Sequence, residues 1–421
     1  MFRLGLLLVC LVGICRVDAK KKCETPEEEW ENRWTRRFDG VVHFEGEKHF
    51  KNVVQLTFSG ANAEGYFSFD DTKLTYQASN GDYGTSCDQI YELDLTLPPD
   101  QTTPRRLSTG LGACTCSFFL DDNKHRIYAG TFMQAQINTS DPTLSSCPMK
   151  QCDERNPKLL TDPKLKELCS RNGSYIWDVY PEMDIFLVNE YGNVVKRLTD
   201  SPGYDAEGVV SPDGKTILFT SKRNGDLDLY LMDTDGSNVR QLTSELGYNG
   251  GGFFSPDGTK IIYRASRPTT PEEIQTYKDY LEYNMVEPLA MELFVYDLAS
   301  NTSRQLTSLG GANWAPYYLN DNKRVIFSSD HDVTAGFGAF SLWLINDDGT
   351  GLEKVTGGDQ VFDSFPMMSY SGKWLVWGSS RNATGKYDVN LFIADWVDGS
   401  ERKAANLLTL ILLLLSVMFI R

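Results

Sequence analysis

The sequence predicts an all-β fold, a closed ring of six four-stranded antiparallel blades known as a six-bladed β-propeller. A sixfold repeat and a mismatch between the two ends of that repeat predict it. The repeat is a hydrophobic residue followed by Thr or Ser: Leu56-Thr57, Leu107-Ser108, Leu198-Thr199, Leu242-Thr243, Leu306-Thr307 and Val355-Thr356. Self-similarity at this scale outranks local propensity as evidence of architecture. The mismatch is that the sixth copy ends at Ala394-Asp395-Trp396 without an outer strand, while VVQLT from Val53 has no blade of its own. The N-terminal strand is therefore expected to complete blade six and close the ring, leaving little exposed sheet edge.

Each element of a blade can be placed in order. After every hydrophobic-Thr pair come a polar stretch, an apolar inner strand and a tight turn. The turns read SFDD from Ser68, LDDN from Leu120, SPDG from Ser211, SPDG from Ser255, LNDN from Leu319 and SYSG from Ser369. Gly, Asn and Asp there supply the positive φ a hairpin demands. Second strands follow as KLTYQAS, RIYAGTF, TILFTSK, KIIYRAS, RVIFSSD and KWLVWGS, with apolar and small residues alternating as in strands packed between sheets. Third strands read QIYELDL, DIFLVNE, DLYLMDT, ELFVYDL, SLWLINDD and NLFIADW. The strand carrying the next hydrophobic-Thr pair is the fourth.

The repeat, LT then SPDGK, strand, LY and DxDGSN, resembles the TolB-like β-propeller repeat, also found in propellers of prolyl-oligopeptidase-type peptidases. Residues 49–398 resemble a secreted subgroup of TolB-like proteins found mainly in bacteria. The resemblance is carried by EKHFKNVVQLT from Glu47, CDQIY from Cys87, GYDAEGVVSPDGK from Gly203 and FIADW from Phe392. It implies the fold and no established reaction. Related sequences tend to have a histidine where this chain has Phe132, so no role borne by that histidine transfers. Serine peptidase chemistry is excluded, because the chain lacks the G-x-S-x-G elbow of an α/β-hydrolase domain.

The ends and the composition point to export. Residues 1–19 have the layout of a signal peptide: Arg3, an apolar run over 4–15, and the small-residue site Val17-Asp18-Ala19. Residues 20–48 read as a lead-in. Residues 399–421 read as a glycosylphosphatidylinositol (GPI) anchor signal, with Asp398, Gly399 and Ser400 as the small site, a polar spacer and an apolar tail over 407–420. The alternatives are a short C-terminal transmembrane helix or a released matrix form; a spanning helix would need about 20 apolar residues. Cys87, Cys114, Cys116, Cys147, Cys152 and Cys169 are disulfide candidates, since their spacing matches no zinc pattern with paired histidines. With Cys23 the mature count is odd, which leaves one thiol free or paired between chains. Asn138, Asn172, Asn301 and Asn382 stand in glycosylation sequons. A formal net charge of −16, without a basic stripe, excludes nucleic acid as a partner and leaves cations or basic partners open.

Three insertions, at 133–181, 268–291 and 330–340, fall in second-to-third-strand loops and so crowd one face of the ring. Loops of this length in a compact domain are usually functional. The first carries Cys147, Cys152 and Cys169, as a disulfide-held cap would. The second contains EEIQTYKDYLEYNMV from Glu272, capped and periodic as a short helix. Positions at the start of inner strands are expected at the channel mouth: Glu64, Asp205, Glu207, Asn249, Asn313, Trp314 and Asp363 are the ligand-binding candidates. Converging carboxylates there could bind Ca²⁺ or a basic ligand, or work as an acid–base pair. Arg223, Arg267 and Arg381 recur at equivalent positions and are expected in structural pairings. The function expected is binding or adhesion through the capped face, to an extracellular protein or glycan. The alternatives are a hydrolase or lyase acting on a glycan, and an acidic calcium-binding matrix protein.

Overall fold

In the computed structural model, residues 43–85, 87–98, 101–137, 147–171, 175–333, 338–358 and 360–398 are described. They form six four-stranded antiparallel sheets around one axis. The inner strands are Ala61–Phe67, Cys114–Phe119, Asp205–Val210, Asn249–Phe254, Asn313–Tyr318 and Asp363–Met368. The N-terminal strand Phe50–Gln55 pairs with Asn390–Trp396 as the outer strand of blade six, with Phe50 opposite Trp396 and Val54 opposite Ile393. The ring closes as the repeat requires.

The hydrophobic-Thr pair has a physical reason that recurs six times. The apolar member is buried in five copies and half-buried at Leu242, and its N–H bonds the carbonyl of the third strand, as Leu198 does to Ile185 and Leu306 to Leu293. The hydroxyl of the next residue then accepts the N–H of that same third-strand residue. Ser108 takes Ile90, Thr199 takes Ile185, Thr243 takes Leu229, Thr307 takes Leu293, Thr356 takes Leu342 and Thr57 takes Leu391, all at 2.8–2.9 Å. A side chain thus replaces the ladder where the outer strand leaves the sheet. Each such bond contributes about 0.5–1.5 kcal/mol net, and an unmet buried N–H would cost more. At the opposite turns the serine hydroxyls of Ser68, Ser211, Ser255 and Ser369 accept the N–H five residues on, each at 3.0 Å.

The seam is locked by more than strand pairing. Arg381, whose side chain is 0% exposed, meets Glu47 from the lead-in at 3.0 Å and Asp363 of the blade-six inner strand at 3.0 Å. Glu47 also accepts the N–H of Phe44 and of Gly357, both at 3.0 Å, and Asp363 accepts the Trp377 indole N–H at 3.1 Å. The Arg381 guanidinium lies over Phe44 and Trp377 at 4.9 and 5.0 Å.

The first two insertions become one cap. Trp177–Asp178 from the first pairs with Met285–Val286 from the second. The helix Pro271–Glu282 forms as expected, opened by a Thr270/Glu273 capping box. It packs on Pro163–Cys169 through buried Tyr280, Leu165 and Leu168, with Met285 of the strand pair joining the same cluster. Lys164 reaches Asp279 at 2.8 Å and the Tyr283 hydroxyl donates to Asp162 at 2.8 Å across the two insertions. Disulfides join Cys87 to Cys147 and Cys152 to Cys169. Cys114 and Cys116, read from spacing as disulfide candidates, are free thiols: both stand on the blade-two inner strand, Cys114 fully buried behind it. Cys23, Asn138, Asn172, Gly399, Ser400 and the apolar tail lie outside the described residues. Asn301 and Asn382 are exposed, and Asp398 receives two bonds from Arg324 at 2.9 Å. Among the described residues no helix is long and apolar enough to cross a membrane.

Candidate functional site

The inner strand of every blade is interrupted by a β-bulge, and at each bulge one residue adopts positive φ. These are Glu64, Cys116, Glu207, Gly251, Ala315 and Phe365, with φ between 45° and 57°. All six line one cavity on the axis, with about 480 Å³ of non-protein space counting its opening. Left-handed backbone costs a residue with a β-carbon about 1–2 kcal/mol, so five such residues in one layer hold considerable local strain. A bulge re-aims a side chain; here it turns one residue per blade toward the axis.

The bulge also separates the sequence candidates into two groups. Glu64 and Glu207 line the cavity. Asp205, Asn249, Asn313 and Asp363 stand two residues before the bulge and are fully buried. Asp205 pairs with Arg223 at 3.0 Å and accepts from Ser201 at 2.7 Å, and Asp363 is held by Arg381. Asn249 bonds Asp228 at 3.1 Å and Arg267 at 2.8 Å, while Asn313 bonds Glu292 at 3.1 Å and Ser329 at 2.7 Å. These four tether loops to blades and do not reach the axis. The arginines they meet are the structural partners the repeat implied. Among the described residues no three His, Cys, Asp or Glu side chains are grouped to hold a metal ion.

Around Glu207 the axis carries a compact charge cluster. Glu207 forms a short ion pair with Arg264 and accepts from Thr220 at 2.6 Å, Tyr248 at 2.8 Å and the Gly251 N–H at 2.9 Å. Arg264 also donates to the Tyr248 hydroxyl at 3.0 Å. Three consecutive glycines make room for this. A Cβ on Gly250 would lie 2.4 Å from the Tyr248 hydroxyl oxygen, and one on Gly251 would lie 2.5 Å from an Arg264 nitrogen. The cap supplies a roof: Trp177 lies over the Arg264 guanidinium at 4.8 Å, beside Trp314 at 5.2 Å. Trp314 stacks on Phe340 at 4.5 Å, and its indole donates to the Pro288 carbonyl at 3.0 Å, so it serves the roof from within.

Glu64 is differently placed. Its carboxylate accepts from the Cys116 thiol at 3.1 Å and from Tyr66 at 3.2 Å. Burial pushes its pKa up to about 7; Glu207 adds to the rise, and the Cys116 contact and Arg264 oppose it. Burial likewise holds the Cys116 thiol well above the usual range, reinforced by Glu64, so this is a protonated, weakly nucleophilic cysteine. Arg264, Tyr66, Tyr248 and Trp177 were not read as site residues from the sequence, and Cys116 was read only as a disulfide candidate. The triple glycine in one inner strand was the available signal for Arg264.

A ring of six bulged inner strands around a roofed charge cluster defines a six-bladed β-propeller with a built axial site. Residues 179–290 match the TolB beta propeller domain family. Among solved structures the chain is similar to a putative TolB from Agrobacterium tumefaciens, at 17% identity and TM-score 0.48, over 80% of this chain and 91% of that one. TolB from Acinetobacter baumannii matches at 18% and 0.46, over 72% and 55%. An oligogalacturonate lyase in complex with manganese matches at 14% and 0.45, over 82% and 93%. No curated protein sequence matches the chain.

Proposed function

We propose that this protein is an extracellular binding protein that takes a protein or glycan ligand on the capped face of its propeller. The observation that carries the reading is the fused cap. Two insertions from different blades are joined by a strand pair, an ion pair and a shared apolar core, and they roof the axis on one face. Ordering the roughly 60 described residues of these two insertions costs on the order of 1–2 kcal/mol each in conformational entropy, out of proportion to covering a ring already closed. The cap exposes Met149 and Leu160. Screening the purified protein against glycan and extracellular-protein arrays tests this. A Met149→Asp, Leu160→Asp double variant should lose the ligand at an unchanged melting temperature; equal binding would place recognition elsewhere.

The protein is held at the outer face of the plasma membrane by a lipid anchor in this reading, on the order of small site, spacer and apolar tail after Trp396. Phosphatidylinositol-specific phospholipase C should release it from intact cells. Retention with a C-terminal tag on the mature chain identifies a transmembrane helix, and protein free in the medium without enzyme identifies a released form.

A second reading, a glycan hydrolase or lyase, draws support from Glu64. A carboxyl that keeps its proton to about pH 7, beside the ion-paired Glu207, is suited to general acid catalysis. Oligosaccharide cleavage that disappears in Glu64→Gln would favour this over binding alone.

A further inference from the structure

We infer that the axial cavity is a site for a small protonated primary amine carrying a neighbouring oxygen acceptor, the chemistry shared by amino sugars and amino alcohols. The site goes beyond the capped-face reading, since a macromolecule can dock on the cap whether or not the cavity is filled.

Charge gives the first half of this assignment. The cavity holds two carboxyls, Glu64 and Glu207, and one guanidinium, Arg264. Arg264 is committed to Glu207 by their ion pair, and Glu207 has three further donors. Glu64 receives only neutral donors, the Cys116 thiol and the Tyr66 hydroxyl. One unit of positive charge is therefore missing at Glu64, and an ammonium group supplies it with three N–H donors. An anion is disfavoured by two carboxyls against one cation. A divalent metal would need hard ligands that do not converge here.

The second half comes from Arg264. This residue is 7% exposed, and its Nε–H has no acceptor among the described residues. A buried, unmatched guanidinium N–H on a side chain that lines the cavity calls for an oxygen. A hydroxyl, ether or carbonyl close to the amine would meet it while the ammonium group faces Glu64. Phe253, Phe365 and Pro366 complete the wall and suit the carbon skeleton. Ala315, whose equivalents in blades one, two, three and six carry larger side chains, leaves space on the wall, while Gly251 makes room for Arg264 itself.

In the free protein a proton stands in for the missing cation, because burial holds Glu64 to about 7. The ligand replaces that proton. The groups facing Glu64 are Tyr66 from its own strand, Cys116, Glu207 and Arg264 from blades two to four, and Tyr175 from the cap. Cys116, Tyr66 and Tyr175 are all raised and keep their protons across pH 5–7, and Arg264 is ion-paired with Glu207. Affinity should consequently rise about tenfold per pH unit up to about pH 7 and then level off.

The test is isothermal titration of the full purified chain with glucosamine, ethanolamine and, as the uncharged counterpart, N-acetylglucosamine, between pH 5 and 8. Saturable one-to-one binding of an amine, release of about one proton near pH 6, and no binding of N-acetylglucosamine are expected. Glucosamine alone binding assigns the site to amino sugars, and both amines binding places recognition in the amine and its adjacent oxygen. Glu64→Gln should abolish binding with its melting temperature retained, and Gly251→Ala, which crowds Arg264, should weaken it at least tenfold. Neither amine binding at millimolar concentration, equal binding of N-acetylglucosamine, or unchanged binding to folded Glu64→Gln would each overturn the inference.

Discussion

The seam at blade six and the cluster on the axis are built from the same parts and finished differently. Each sets one buried arginine against two carboxyls. At the seam, Arg381 touches both Glu47 and Asp363, and the remaining lone pairs are met by two backbone N–H groups and an indole. On the axis, Arg264 is spent on Glu207, its Nε–H goes unmatched, and Glu64 is left with neutral donors. Buried ionic groups are neutral to stability at best when satisfied and costly when not. The seam thus reads as a lock, while the axis keeps an unsatisfied site that serves something other than stability.

The seam should respond most strongly to mutation. Deleting the chain through Phe58 removes the closing strand together with Glu47, and exposes the edge of blade six. Such a protein should lose its single cooperative melting transition and aggregate, as followed by calorimetry and light scattering; an unchanged transition would mean the ring does not depend on this closure. Next in size is Arg381→Met. It leaves Glu47 and Asp363 buried without their cation, at a cost of about 3–5 kcal/mol in urea unfolding. Glu207→Gln should do similar damage on the axis by stranding Arg264.

Glu64 predicts the opposite sign. Its folded pKa of about 7 lies above its ordinary value of 4.5, so the folded state holds the proton more tightly. Stability from this group is complete below pH 4.5 and falls as pH rises toward 7, by about 3 kcal/mol at most. Glu64→Gln should match the parent near pH 4.5 and exceed it near pH 8. A difference between the two proteins that does not vary with pH would show that the carboxyl is compensated after all. The smallest effect belongs to Gly251→Ala: φ of 57° and a contact at 2.5 Å should together cost about 1–2 kcal/mol. No change there would mean Arg264 shifts freely.

The blades, their number, their closure and the placing of the insertions were legible in the sequence because each rests on a repeated local signal. The hydrophobic-Thr pair could be seen before its hydroxyl bond was known. The site was half legible. Alternation along a strand puts residues two apart on the same side, so Asp205 and Glu207 looked equivalent. The bulge breaks that parity, and nothing in the residues of an inner strand announces it, since Glu, Cys, Ala and Phe all occupy the left-handed position. Cys116 was read as a disulfide candidate because spacing shows which thiols exist and says nothing of where a bulge turns them. Arg264 was hidden behind Arg267, the member of the repeat that drew notice, although NGGGFF from Asn249 had cleared the space for it.

The closing strand has a further consequence, in time. Thr57 bonds Asn390 across 333 positions of chain. At ribosomal speeds of roughly 5–20 residues per second, the strand at Phe50–Gln55 emerges about 15–70 seconds before its partner exists. Throughout that wait it is an open template for any other strand, in its own molecule or a neighbour's. Lys51 and Asn52 face solvent on it, and the pairing is irregular between Lys51 and Val54. Charge and an irregular edge make it a poor match for a stranger, so the nascent chain carries its own guard until blade six arrives.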